Sequence, residues 1–247
     1  MSLQTTFTPA DFEALAQTDL SGTTCVVLDI LRATSSMITA LANGAEQILP
    51  VATIEEALAA KAEHPAALLC GERNGLRITA TQTGGTEFDL GNSPREYTAE
   101  IVAGKTLIST TTNGTRALRA CANAERVLVA SFLNLTATTD YLRTAKPSQL
   151  VIVCGGTYEE AALEDTLAAG AIADVVWDLF DECDDATQTA RLLFNSAPVE
   201  ETILQAKNAQ RLLSLPDLAE DVEHCLQSDR YPFTATVAAN GMIRRNA

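Results

Sequence analysis

The chain has 247 residues, 47% of them hydrophobic and 20% charged, which is enough to bury an apolar core without disulfide staples. Its 17 basic and 32 acidic residues give a formal charge of −15, which argues against nucleic acid and anionic membranes as partners, because both need a basic surface. No apolar run approaches the ~20 residues that span a bilayer, and the first ten residues lack the basic-then-apolar pattern of a secretion signal.

Short apolar runs alternate with amphipathic stretches. Thr8-Pro9-Ala10-Asp11 opens a first helix, with Pro at its first position. Strands are predicted at Cys25–Leu31, Gln47–Val51, Ala67–Gly71, Thr106–Thr111, Arg126–Phe132 and Leu150–Cys154. Most are almost continuously apolar, as strands buried on both faces are. Capping boxes are read at Thr53-Ile54-Glu55-Glu56, Ser93-Pro94-Arg95-Glu96 and Thr157-Tyr158-Glu159-Glu160, the last opening a long helix to Phe180. Further helices are predicted to begin near Ala33, Asn113, Asn134, Thr187 and Pro198, and Leu76–Glu87 is the expected loop. The C-terminal Tyr231–Arg245 stretch reads as a hairpin around Ala-Ala-Asn-Gly. The alternation implies a three-layer α/β/α fold with a mainly parallel or mixed sheet. The expected unit is 1–247, with a weak boundary near Lys105 that would give subdomains 1–105 and 106–247 and a site between them. Six cysteines, at 25, 70, 121, 154, 183 and 225, make no CxxC pair, so reduced thiols in a cytoplasmic protein are expected. A homodimer is compatible with this size and acidity.

Three segments share one local form, an Asp or Asn followed three residues later by Arg: Asp29–Arg32, Asn92–Arg95 and Asn113–Arg116. Arg in a first helical turn opposes the helix dipole by about 0.3–1 kcal/mol. One such segment is readily explained by a surface ion pair. Three together favour a clamp for an anion, built from guanidinium groups and free backbone N–H groups. Thr110-Thr111-Thr112 adds hydroxyls beside Asn113, and Cys70-Gly71-Glu72-Arg73-Asn74-Gly75 packs charges beside two glycines. Acids complete the set: Asp29 ends an apolar strand, and Glu160 and Glu164, four apart, would share a helix face, with Asp165 adjacent. Such acids beside arginines suit Mg²⁺, which takes few carboxylates and shares its shell with phosphate and water.

Familiar alternatives fail by counting. No cysteine has Arg six residues on, and the only histidines, His64 and His224, sit in structural contexts. Gly104-Lys105-Thr106 lacks the first glycine of a P-loop, and Asp29 is followed at the second place by Leu31 rather than Asp. What remains is carboxylate-plus-metal or carboxylate-plus-arginine chemistry on an anion.

At these residues the sequence resembles the 2-phosphosulfolactate phosphatase family. The resemblance rests on Val27–Ser36, Ala40–Ala45, Gly71–Gly75, Phe88–Tyr97, Thr110–Leu118 and Ala162–Ile172, in order from residue 25 to about 175. It departs at Leu76–Glu87, which looks longer, and at Cys154–Glu160, which is more acidic; the region after about 185 adds no distinctive match. The resemblance implies a Mg²⁺-dependent phosphomonoester hydrolase of α/β fold, releasing 3-sulfolactate and phosphate, a step of coenzyme M synthesis. The expected substrate is thus a small polyanionic phosphorylated acid. The expected roles are catalytic for Asp29, Arg32, Glu72 and Asp165, with Asp29, Glu164 and Asp165 as metal ligands. Arg73, Asn92, Ser93, Arg95, Thr111, Thr112, Asn113, Gly114, Thr115 and Arg116 are expected to bind substrate. Two other classes stay open at this point: a non-catalytic anion-binding module, and an isomerase or aldolase acting on a phosphorylated small acid.

Overall fold

The computed structural model describes residues 1–196 and 198–246. The strands are β1 Ser2–Thr6, β2 Thr23–Leu28, β3 Gln47–Pro50, β4 Leu68–Arg73, β5 Leu76–Arg77 and β6 Thr106–Thr110, followed by β7 Arg126–Ala130, β8 Gln149–Cys154, β9 Glu182–Cys183, β10 Ala235–Val237 and β11 Ile243–Arg245. The helices are α1 Pro9–Leu15, α2 Ala33–Ala42, α3 Ile54–Glu63, α4 Ala80–Thr83, α5 Ala99–Val102 and α6 Gly114–Ala120, then α7 Leu135–Ala145, α8 Leu163–Val176, α9 Asp185–Ser196, α10 Val199–Ile203, α11 Lys207–Leu213 and α12 Ala219–Leu226.

The strands form one mixed sheet in the order β5-β4-β6-β3-β11-β10-β7-β2-β8-β1-β9. The period-two alternation of strand side chains makes three layers of it. Val26 and Leu28 of β2, Leu128 of β7 and Ile152 of β8 face a core shared with α7, α8 and α9. Their neighbours Cys25, Val27, Val127, Val129, Val151 and Val153 face the opposite core, shared with α2 and α6. Leu69 of β4 and Ile108 of β6 face a third cluster under α3.

β9, β1, β8, β2 and β7 run parallel, as do β3, β6 and β4. The C-terminal hairpin β10–β11 joins the two sets through antiparallel pairings to β7 and β3, so the sets have opposite sense where they meet. Six pairings separate β2 from β4. At about 20–25° of twist per pairing, roughly 120–150° accumulates, which turns the two sets back towards a common direction. The ends of β2, β4, β6 and β8 can then serve one site.

The strand readings hold at all six positions, within a few residues at their ends, and the hairpin is present. Three expectations are corrected. No helix starts at Thr157: Gly156 and Tyr158 both take positive φ, Thr157 and Glu160 pair across a tight turn, and α8 begins at Leu163. Glu160 therefore shares no helix face with Glu164; it is exposed and pairs with Lys207 at 2.5 Å. Ser93–Glu96 makes a single 3₁₀ turn without a side-chain cap, because Glu96 accepts from the Gly91 N–H at 2.8 Å. Strands β1, β5 and β9 are additions to the sequence reading. The Leu76–Glu87 loop holds β5 and the short α4.

Ile243 of β11 is fully buried and pairs with Ile48 of β3, the sole register contact between the hairpin and the second strand set among the described residues. Ile243→Ala is expected to destabilise the protein by about 2–5 kcal/mol in chemical denaturation, the range for truncating a large core side chain. A loss under about 0.5 kcal/mol would show that the hairpin does not join the two sets.

Candidate active site

The chain turns at Asp29 under tight local control. The Asp29 N–H donates to Thr34 Oγ1 (3.0 Å), Thr34 N–H and Oγ1 both return bonds to the Asp29 carbonyl, and Ala33 N–H donates to Asp29 Oδ1 at 3.0 Å. The small and hydroxylated run Ala33-Thr34-Ser35-Ser36 makes this possible, since the Thr34 and Ser35 hydroxyls bond the Asp29 and Ile30 carbonyls within reach. Two glycines close on the same carboxylate. A Cβ at Gly114 would stand 2.7 Å from Asp29 Oδ2, and one at Gly155 would stand 3.2 Å from it. Asp29 thus lies between the start of α6 and the loop after β8.

The pocket in front of it is lined by Asp29, Leu31 and Arg32, by Glu72, Asn74 and Gly75, and by Asn92, Thr112 and Asn113. Its far wall is Gly156–Tyr158 with Asn208, Arg211, Leu212, Leu215 and Leu218. Glu72 is buried, and backbone N–H groups hold both its oxygens: Gly75 at 2.6 Å and Thr112 at 2.7 Å. It ties the β4–β5 turn to the β6–α6 turn. Of the carboxylate oxygens on the wall, Asp29 Oδ2 is the one left without a protein donor among the described residues. Asn113 donates through Nδ2 to the Gly155 and Tyr158 carbonyls at 2.9 Å each, which leaves its Oδ1 buried without a partner.

Behind Asp29 stand two buried acids. Asp165 accepts from Ile30 N–H (2.8 Å) and Gly156 N–H (3.0 Å), and Glu164 accepts from Asn208 Nδ2 (2.7 Å). Loss of water pushes the Asp29 carboxyl up to about 7, helped by the Glu72 and Glu164 charges and opposed by Ala33 N–H and Arg32. Burial raises Glu164 and Asp165 as well, with the Glu164 and Asp29 charges adding to the effect on Asp165. Arg32 cannot neutralise this group fully. Its own charge is matched by Asp221, which is fully buried on α12 and accepts at 2.6 Å, while its other arm donates to the Gly75 carbonyl at 2.6 Å. Asp29 Oδ2, bare on the pocket wall, and Asn113 Oδ1, buried without a partner, are oxygens of the hard kind that a divalent cation takes. Among the described residues no cluster of three His, Cys, Asp or Glu side chains is placed to enclose a metal. This donor set fits a hard cation that takes one or two protein oxygens and fills its shell with water and phosphate.

A sequence model of the 2-phosphosulpholactate phosphatase family matches residues 10–240. The chain belongs to the 2-phosphosulfolactate phosphatase family. Proteins named probable 2-phosphosulfolactate phosphatase are similar to it over nearly their whole length. That of Thermotoga petrophila is 41% identical over 222 residues, covering 89% of this chain and 91% of the relative. That of Caldanaerobacter subterraneus subsp. tengcongensis is 39% identical over 239 residues, covering 94% and 95%. That of Clostridium acetobutylicum is 40% identical over 210 residues, covering 83% and 86%. Membership in this family of phosphoric monoester hydrolases sets aside the non-catalytic module and the isomerase or aldolase.

For this phosphatase family member, the structure brings Asp29, Arg32, Glu72, Asn92, Thr112 and Asn113 together on the pocket wall, with Gly114 pressed against Asp29 from behind. It moves the others. Arg95 does not line the pocket; it joins Arg32 on Asp221 (2.9 Å) and pairs with Glu220 (2.5 Å), and Ser93 Oγ donates to the same Asp221 at 2.6 Å. Arg73 is half-buried and spends its donors on Glu72 O and Thr110 Oγ1. Thr111 and Thr115 bond to each other and shape the β6–α6 turn. Arg116 lies elsewhere, over the Phe12 ring and paired with Glu13 (2.6 Å) and Glu159 (3.2 Å). Glu72 and Asp165 accept one backbone N–H on each oxygen, and Glu164 accepts from Asn208 Nδ2 on one, so all three brace the segments around Asp29.

Besides the leucines of the far wall, three polar residues of the site come from the C-terminal region, which the family match now includes: Asn208, Arg211 and Asp221. Asp221 carried a legible signal. It lies with Leu218, Val222 and Cys225 on one apolar stripe of spacing i, i+3, i+4, i+7, where an acid must find a cation.

The raised Asp29 fixes a sign. Between its unfolded value near 4 and its folded value near 7, the native state binds more protons, so this group's contribution to stability falls as pH rises through that window. Asp29→Asn is therefore expected to raise the melting temperature of the metal-free protein at pH 8, with a smaller gain at pH 5. An equal shift at both pH values would contradict a raised Asp29.

Proposed function

We propose that the protein hydrolyses 2-phosphosulfolactate to sulfolactate and phosphate with the help of Mg²⁺, the phosphoryl group seated between Asp29 and Arg32. The observation that carries this reading is the bare Asp29 Oδ2, held on the pocket wall beside a guanidinium that Asp221 and the Gly75 carbonyl lock in place. The family name supplies the substrate, and the acidic knot of Asp29, Glu72, Glu164 and Asp165 supplies the reason for a cation. Asp29 Oδ2 and Asn113 Oδ1 would hold Mg²⁺, which when bound polarises phosphoryl oxygens and offsets developing charge.

The chain's own part is to bind and orient. Arg32 is fixed by Asp221 and Gly75, so its guanidinium needs little reorganisation to meet a phosphoryl oxygen. The Asn92 amide and the Thr112 hydroxyl stand on the same wall as further hydrogen-bonding groups. Leu31, Leu212, Leu215 and Leu218 limit water around the bound ester. The same reading puts the reaction in the cytoplasm, where six free cysteines stay reduced, and connects it with coenzyme M synthesis.

Phosphate release from racemic 2-phosphosulfolactate is expected to require Mg²⁺ and to exceed release from phospholactate and phosphoglycerate. Arg32→Ala is expected to slow turnover by about 10²–10³-fold, as loss of one charge-stabilising donor does. Release that survives chelation, or equal release from all three esters, would overturn the Mg²⁺ or the substrate assignment respectively. Arg116→Ala should leave kcat/KM within about twofold, since exposed ion pairs carry little; a loss of a hundredfold would return Arg116 to the site.

A further inference from the structure

Arg211 is the guanidinium on the pocket wall that has no acid partner among the described residues. Arg32 has Asp221, but Arg211 has only a carbonyl and a phenol: one arm donates to the Asn74 carbonyl, the other to Tyr158 Oη at 3.2 Å. The two arginines straddle one tight turn. Arg32 donates to the Gly75 carbonyl, and Arg211 lies so close to Gly75 that a Cβ there would stand 3.0 Å from it. Gly75 has φ +75°, which suits glycine, and Asn74 also takes positive φ. The chain thus holds two cations against neighbouring peptide groups of a single turn, and acid neutralises only one of them. Like charges at such range repel by an energy that an anion between or beside them would reverse.

Resting on the function proposed above, we infer that Arg211 is the specificity-determining residue of the pocket and receives the sulfonate of the substrate. The ester oxygen and the carboxylate of 2-phosphosulfolactate share one carbon, whereas the sulfonate sits on the next. With the phosphoryl group at Asp29 and Arg32, the far anion falls to the guanidinium on the far wall. Tyr158, which lines that wall and accepts from Arg211 at its Oη, keeps its own O–H as a further donor to a three-oxygen head. Arg211 also explains why α11, at the far end of the chain from Asp29, belongs to the site.

The test compares Arg211→Gln and Arg211→Lys with the parent protein in two measurements. The first is kcat/KM on 2-phosphosulfolactate, phospholactate and phenyl phosphate. In Arg211→Gln the loss on 2-phosphosulfolactate should exceed the loss on the other two by about 10–100-fold, the range for one charge-assisted contact, and should appear in KM more than in kcat. Arg211→Lys should recover part of it, keeping the charge without the fork. The second is calorimetric binding of sulfolactate and of inorganic phosphate, which needs no turnover. Sulfolactate affinity should fall in Arg211→Gln by a similar factor, and by more than phosphate affinity does. Equal losses on all three esters, or sulfolactate binding that ignores the substitution, would overturn the assignment of Arg211. A parent protein that binds sulfolactate through Arg211 yet releases no phosphate would instead overturn the hydrolytic reading alone. A parent protein that binds no sulfolactate would overturn Arg211's role as well.

Discussion

A half-buried carboxylate, with one oxygen bonded and one bare, governs the architecture around it. Asp29 gains little from its surroundings: a single N–H from Ala33 and the charge of Arg32 oppose desolvation and the charges of Glu72 and Glu164, which raise its carboxyl to about 7. Burial of this kind is unfavourable on its own. It persists because the β2–α2 turn, the β6–α6 turn and the loop after β8 are each held by bonds that do not depend on Asp29's charge. Thr34 holds the first turn. Glu72 holds the second through Thr112, and Asp165 holds the third through Gly156. The strain of the site is thereby shared among rigid neighbours, as functional constellations require.

The positive side of the pocket is organised by a different rule. Asp221 gathers Arg32, Arg95 and Ser93 onto one buried carboxylate, and removing one partner from such a group leaves an uncompensated buried charge, typically a loss of about 3–5 kcal/mol. That arrangement fixes Arg32 while leaving Arg211 free to answer a ligand. One cation is locked and the other is poised, and both press on the Asn74–Gly75 turn. A dianionic or trianionic guest is the natural counterpart of such a pair.

Much of this was legible in the sequence, and the failures have definite causes. The six strands were readable because they are buried on both faces and so are written as apolar runs. β1, with Gln4 and three hydroxyl side chains in five residues, hides among polar positions although Leu3 and Thr5 are buried. The missing capping box at Ser93 and the false helix start at Thr157 came from glutamates that serve other partners, Gly91 and Lys207. Asp29 and Arg32 were recognisable because their strand, turn and helix are local. Arg116 misled because its carboxylate partners, Glu13 and Glu159, lie about 40 to 100 residues away. Asp221 and Arg211 reach further still, 189 residues to Arg32 and 137 to Asn74, and the apolar stripe that marks Asp221 as needing a cation does not say which one.

The central claim is that Asp29 is charged reluctantly and open to a cation. Carbon-13 NMR of the Asp29 carboxyl, titrated in metal-free protein and again with Mg²⁺, tests it directly. The account expects a midpoint near 7 without metal and a marked fall when Mg²⁺ is added. A midpoint in the ordinary aspartate range, unmoved by the metal, would contradict it.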